Sequence, residues 1–169
     1  GTVLLRVQSG SRIPVAEREN RKALDLVPVE GARQPEHYYL GRANGTAVFG
    51  AMAAENDGYP EPSDGWRHPF AVGAELAPLD LEIMTVAFAV TGWNNSMPFS
   101  GRDGSRTVVT QGGWARLDEH GGEHFPRTDP AVIVLVEHED RLLPGSNVLW
   151  ETGRFSLLAG FVEAGESAE

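Results

Sequence analysis

The dipeptide Asn44–Gly45, set between "HYYLGR" and "TAVFGAM", restricts this chain more than any other short stretch. Both turn residues tolerate positive φ and apolar runs flank them, so the pair reads as a two-residue β-hairpin turn. Three strand-like runs precede it, "TVLLRVQ", "RIPVA" and "DLVPV", and with the hairpin they predict a small antiparallel sheet. The following "ENDGYPEPSDGWRHP" is punctuated by Pro, Gly and Asp and reads as an exposed loop without regular structure. "AELAPLDLEIMTVAFAVTGWNN" then sets Leu79, Ile83, Val86, Ala87 and Val90 at helical spacing, with acidic residues early and Asn94–Asn95 at the exit. One amphipathic helix is predicted there.

Composition narrows the function classes. A chain of 169 residues with 41% hydrophobic content can bury a sizeable core. No apolar run approaches the roughly 18 residues that span a bilayer, and "GTVLLRVQSGSRIPV" lacks the basic-then-apolar order of a signal peptide, so a cytoplasmic protein is expected. Cysteine is absent, which fits a reducing compartment and excludes disulfides and thiolate metal sites. The formal charge of -10 and the single lysine, Lys22, argue against a general polyanion-binding surface. An acidic chain can still take a phosphate compound when divalent ions stand between its carboxylates and the ligand; acidity as a solubility device is the simpler alternative.

The composition shifts at about Asn94 to Gly113, the expected joint between an N-terminal and a C-terminal unit. Beyond it, glycine-rich turns bracket "RTVVT" and "WARL", and "AVIVLVEH" (Ala131 to His138) has the β-branched density of a central strand. Pro144–Gly145 breaks the next run, so an element is expected to begin afresh near Val148. The overall class is α+β. His120, His124 and His138 show no metal-ligand spacing with a group of carboxylates, and Ser156 lacks the Gly-x-Ser-x-Gly setting of a nucleophile elbow.

"FPRTDPAVIVLV" followed by "FSLLAGFVEAGES" resembles the NADH pyrophosphatase branch of the Nudix hydrolases. The signature of that family opens with Gly, five residues and Glu, matched by Gly160, Phe161 to Gly165, and Glu166. "YYLGR", Trp66–Arg67, the helix running to Trp93, "FSGRDG" and "GWARL" follow the same family order, so the resemblance covers nearly the whole chain. It implies a β-rich N-terminal domain with its helix at residues 1–93, a ribbon-like segment at 94–124, and the start of a Nudix α/β/α sandwich at 125–169. It further implies hydrolysis of the pyrophosphate of NADH or NAD to nicotinamide mononucleotide and AMP, with NAD at the 5′ end of RNA as a further substrate. Without the later helices of such a fold, Val132 to Val136 would lose part of their burial, so a homodimer or larger assembly is expected, or else packing beside the missing portion, with Ala131 to His138 buried at the contact.

The resemblance also implies site residues. The backbone carbonyl of Ala159 would be a ligand of a catalytic Mg or Mn ion, and Glu166 is the first motif glutamate, entered here as a catalytic and metal-site residue. Phe125, the aromatic before Pro126, would stack on a base, with a core aromatic as the alternative. Arg67 would pair with substrate phosphate, with a surface arginine as the alternative. In the family the signature continues into a helix bearing Arg-Glu and a Glu-Glu pair; the present sequence ends at Glu169, so these 169 residues alone are expected to be inactive. Glu163, Glu166 and Glu169 would otherwise be a solvated helix-start cluster, and the chain a non-catalytic dimerisation or nucleotide-binding module. The family's paired cysteines are replaced by Ser100 and Asp103 in one turn, and by Asp118 with His120 or Gly121 in the other. Structural zinc is therefore expected to be lost, a residual oxygen-ligand site being the alternative.

Overall fold

The computed structural model describes residues 1–9, 11–31, 34–55 and 57–167, and the chain divides into two compact units, Gly1–Pro126 and Arg127–Glu169. Each is described by itself.

The first unit begins with β1 (Thr2–Val7), β2 (Ile13–Arg18), β3 (Arg21–Leu24) and β4 (Val27–Pro28), followed by β5 (Tyr38–Ala43) and β6 (Thr46–Met52). Asn44 and Gly45 take φ of 49° and 78°, and Ala43 pairs with Thr46 across the turn, as the dipeptide predicts. The sheet is not antiparallel throughout. Its order is β4-β1-β6-β5, and β1 runs parallel to β6 from Thr2↔Ala47 to Val7↔Met52. The central position of β1 explains its sequence: Leu4, Leu5, Arg6 and Val7 are all buried because both faces of the strand are covered. Leu5 and Val7 join the main core with Ile13, Val15, Val48 and Ala87, whereas Leu4 packs with Val27 and Ala51 in a second cluster.

A second sheet, β3-β2-β7, uses β7 (Trp66–Arg67) from within the stretch expected to be a bare loop. That loop is pinned. Buried Arg6 pairs with Asp57 at 3.3 Å, donates to the carbonyl of Pro60, and sets its guanidinium 5.5 Å from the Tyr59 ring and 5.3 Å from the Trp66 ring. A short helix, α1 (Pro69–Val72), leads to α2 (Pro78–Ser96). The buried stripe of α2 is Ile83, Met84, Ala87, Val90, Thr91 and Asn94; Leu79, placed on that stripe by spacing, is exposed. Gly50 lets the sheet approach α2 closely, since a Cβ there would lie 3.1 Å from Leu40 and 3.2 Å from Thr91.

β8 (Thr107–Thr110), β9 (Ala115–Asp118) and β10 (Glu123–His124) form a three-stranded antiparallel sheet in the order β10-β9-β8. The ribbon-like segment thus lies within the first unit. Asn94 at the end of α2 donates to the carbonyl of Gly113 at 2.8 Å, and the Trp114 indole N–H donates to the carbonyl of Tyr39 at 2.6 Å. The turn Gln111–Gly113 has φ of 48°, 67° and 100°, and at Gly113 a Cβ would sit 2.7 Å from the Tyr38 side chain.

In the second unit β11 (Ala131–Val134) pairs antiparallel with β14 (Leu158–Phe161), and β12 (Glu137–His138) with β13 (Arg141–Leu142). The single strand expected over Ala131 to His138 is therefore two, broken at Leu135–Val136, because Glu139 and Asp140 take positive φ and turn the chain back on itself. No element starts near Val148; the stretch is closed by a bridge between Gly145 and Ser156. Ile133 is 72% exposed, and Val134, Leu135 and Val136 are exposed as well.

Candidate functional site

The two turns expected to be a degenerate ribbon are each organised around an aspartate. Asp118 is buried at the end of β9, and its Oδ1 accepts the backbone N–H groups of Gly122 at 2.6 Å and His120 at 3.0 Å, while Oδ2 meets His124 Nε2 at 3.0 Å. The Gly122 N–H and then His124 hold its carboxyl below the ordinary range. Gly122 is required by this closure, since a Cβ would lie 2.4 Å from Asp118 Oδ2. In the other turn Asp103 Oδ1 accepts the N–H (3.0 Å) and hydroxyl (2.8 Å) of Ser105, which lower its carboxyl too, and Oδ2 lies 3.4 Å from His120. Ser100 is buried, and its Oγ accepts the Arg102 N–H at 3.2 Å. Spacing alone hid these two Asp–His pairs, because the partners come together only through the turns. Among the described residues no group of three His, Asp or Glu could hold a metal ion. Oxygen acceptors already filled by backbone donors do not fit zinc.

Arg67 lies on β7, half exposed. Its Nε donates to the Asp64 carbonyl at 3.1 Å and its Nη2 pairs with Asp64 Oδ1 at 3.3 Å. Asp64 also holds Lys22 at 2.7 Å, and that hydrogen bond is the main cause of its lowered carboxyl and of the raised Lys22 ammonium. Phe125 is 54% exposed at the end of the first unit.

The second unit carries the Gly-to-Glu motif. Ala159 and Gly160 sit inside β14, opposite Ile133 and Val132, so Gly160 is a strand residue and the turn comes later, at Glu163–Glu166. Gly165 supplies φ of 86° for that turn. Glu166 closes it twice: its N–H donates to the Glu163 carbonyl at 3.0 Å, and its Oε2 accepts the Glu163 N–H at 2.9 Å. Glu169 lies outside the described residues. A hollow of about 580 Å³ beside the turn is lined by Arg127, Asp129, Pro130, Phe161, Val162 and Glu163. Arg127 and Asp129, paired at 2.7 Å, were legible as part of "FPRTDP" but had been assigned no role. The Ala159 carbonyl and Glu166, with that carboxylate already holding the turn, do not by themselves make a site for Mg or Mn.

No family model matches the chain. Its similarity to curated proteins is nonetheless continuous. It is 36% identical over 175 residues to proteins named NAD-capped RNA hydrolase NudC from Mycobacterium tuberculosis (strain H37Rv) and Mycobacterium bovis (strain BCG / Pasteur 1173P2), covering 100% of this chain and 55% of each relative. A protein of the same name from Pseudomonas syringae pv. syringae is 39% identical over 89 residues, covering 52% of this chain and 32% of that protein. The chain is a homologue of Nudix-family proteins. The relatives carry the name NAD-capped RNA hydrolase NudC, which is consistent with the NADH pyrophosphatase type, and the chain spans about 55% of the length of the mycobacterial ones.

Proposed function

We propose that this chain forms the N-terminal unit and the leading strands of a Nudix-type hydrolase that splits the pyrophosphate of NADH or NAD into nicotinamide mononucleotide and AMP, and that also takes NAD at the 5′ end of RNA. The observation that carries the reading is the similarity along the whole chain to proteins named NAD-capped RNA hydrolase. In this reading Phe125 offers its exposed ring to a base, a contact worth about 1–3 kcal/mol in nucleotide recognition. Arg67, if released from Asp64, pairs with phosphate. Glu166 sets the turn after β14, which orients the Ala159 carbonyl and the chain that follows. Mg or Mn is the cofactor the family implies, and it needs carboxylates beyond the described residues. The protein acts in the cytoplasm as a homodimer, a proposal supported by the exposed apolar row Ile133 to Val136.

A second reading is favoured by one observation: among the described residues no three acidic or imidazole groups converge. On that reading residues 1–169 are a dimerisation or nucleotide-binding module without hydrolytic activity. The test is release of AMP from NADH with Mn present. The 169-residue polypeptide alone is expected to release none above a protein-free control. AMP from that polypeptide would overturn the inactivity, and absence of AMP from protein made from the whole reading frame would overturn the hydrolase reading.

A further inference from the structure

Arg116 is a buried charge for which the proposed hydrolysis has no use. It rises from β9 with 8% of its surface exposed, and its guanidinium donates to Thr107 Oγ1 (2.6 Å), Thr107 O (3.0 Å), Asn94 Oδ1 (3.0 Å) and Asn94 O (3.4 Å). All four acceptors are neutral, and among the described residues no carboxylate lies within ion-pair distance of it. Asn94 belongs to the last turn of α2, whose C-terminal dipole offsets about half a unit of charge. The remainder is unbalanced, in surroundings where an uncompensated charge is costly.

That remainder borders a cavity. A space of about 550 Å³ is lined by Arg116, Val109, Thr110, Gln111, Gly112 and Glu36, among others. A guanidinium has five N–H donors. The four bonds above leave one of them, on Nη2, without an acceptor among the described residues. β8 adds a second donor. The Thr107 N–H bonds to the Pro98 carbonyl, turned away from β9. The alternation of an antiparallel ladder turns the N–H of Val109 the same way, to an edge that has no partner strand among the described residues. A partly unbalanced guanidinium with a spare donor, next to a free backbone N–H, suits a tetrahedral oxyanion.

We propose that this cavity is a phosphate site, taking inorganic phosphate or the phosphate of a mononucleotide. It lies wholly within the first unit and does not rest on the hydrolase reading. Glu36 is the counterweight: exposed at the rim, it lowers the affinity for an anion without touching Arg116.

The experiment is a 1H–15N NMR titration of the 169-residue protein with inorganic phosphate, AMP and adenosine in parallel. Saturable shifts are expected at Arg116 Hε and at the Val109 and Thr110 amides with phosphate and with AMP, and none with adenosine. Equal affinities assign the site to free phosphate; tighter AMP assigns it to a nucleotide. Glu36→Gln, which leaves every bond of Arg116 in place, is expected to tighten binding roughly two- to five-fold, the range of a surface charge contact. Absence of saturation at tens of millimolar phosphate would overturn the proposal. So would shifts with adenosine that match those with AMP, or affinity unchanged in Glu36→Gln.

Discussion

Gly113→Ala is expected to loosen the junction by which the 94–124 segment docks on the rest of the first unit. The residue sits at φ of 100°, and its carbonyl accepts from Asn94 at 2.8 Å. An added Cβ would meet Tyr38 Cβ and Cδ1 at 2.7 Å and Cγ at 2.9 Å. Tyr38 is buried on β5 and has no open side to which it can retreat. Two costs combine: about 1–3 kcal/mol for an L residue held at that φ, and about 1–3 kcal/mol for overpacking. Gly121→Ala separates them, because Gly121 has φ of 82° but nothing within 4 Å of its would-be Cβ, so only the first cost applies. Urea unfolding followed by tryptophan fluorescence reads the difference, with Trp114 next to the perturbed residue. At a slope of about 1–3 kcal/mol per molar urea, the Gly113 variant should unfold on the order of 1 M earlier than the Gly121 variant. Equal midpoints would refute the argument that close packing of this turn on Tyr38 holds the segment in place.

Asp118→Asn should alter the acid limb of stability. The folded carboxyl is held down, so its stabilising contribution is present above the unfolded value of about 3.9 and is lost as pH falls through the folded pKa; melting curves across the acid range should fall less steeply in the variant, and an unchanged limb would count against the role given to Asp118. Metal analysis after dialysis against a mild chelator is expected to find no stoichiometric zinc, since Oδ1 of Asp103 and of Asp118 is taken up by the N–H groups of its own turn and each Oδ2 faces a single histidine; one zinc per chain would reverse that. Light scattering at micromolar concentration is expected to show a dimer or larger assembly, with Val134→Asp shifting it toward monomer. A well-folded monomer of the unaltered protein would sink the dimer proposal.

Local chemistry was readable before any coordinates. Asn44–Gly45 marked its hairpin because both residues accept positive φ, and the apolar spacing from Ile83 to Val90 marked α2 because the buried stripe repeats with the helix. What sequence did not disclose was pairing between distant segments. The β1–β6 ladder is parallel, and nothing in "TVLLRVQ" specifies the direction of its neighbour. The β2–β3 hairpin was overlooked because its turn, Glu19–Asn20, takes φ of 50° and 61° without a glycine. "AVIVLVEH" read as one strand because propensity does not register a turn at Glu139–Asp140 that folds its end onto Arg141 and Leu142. At the candidate site the resemblance located Gly160 and Glu166, while the bond from Glu166 back to the Glu163 N–H required the folded turn. The Asp–His pairs were hidden for the same reason.

The parallel ladder also sets a timetable for synthesis. β1 joins Thr2 to Ala47 and Val7 to Met52, so it leaves the ribosome roughly 45 residues before the strand it will lie beside. At about 5–20 residues per second that interval is some two to nine seconds, far longer than the microseconds in which the β5–β6 hairpin can close once made. β2 reaches β1 first, tied to its end by the Gln8–Arg12 bridge, and β4 follows through Val27 and Pro28, which pair with Leu4 and Val3. During the wait Leu5 and Val7 have Ile13, Val15 and Leu24 beside them but not Val48 of β6 or Ala87 of α2. Their cover on the nascent chain is therefore partial, and this unit should depend on translation speed and on holding chaperones more than its size suggests.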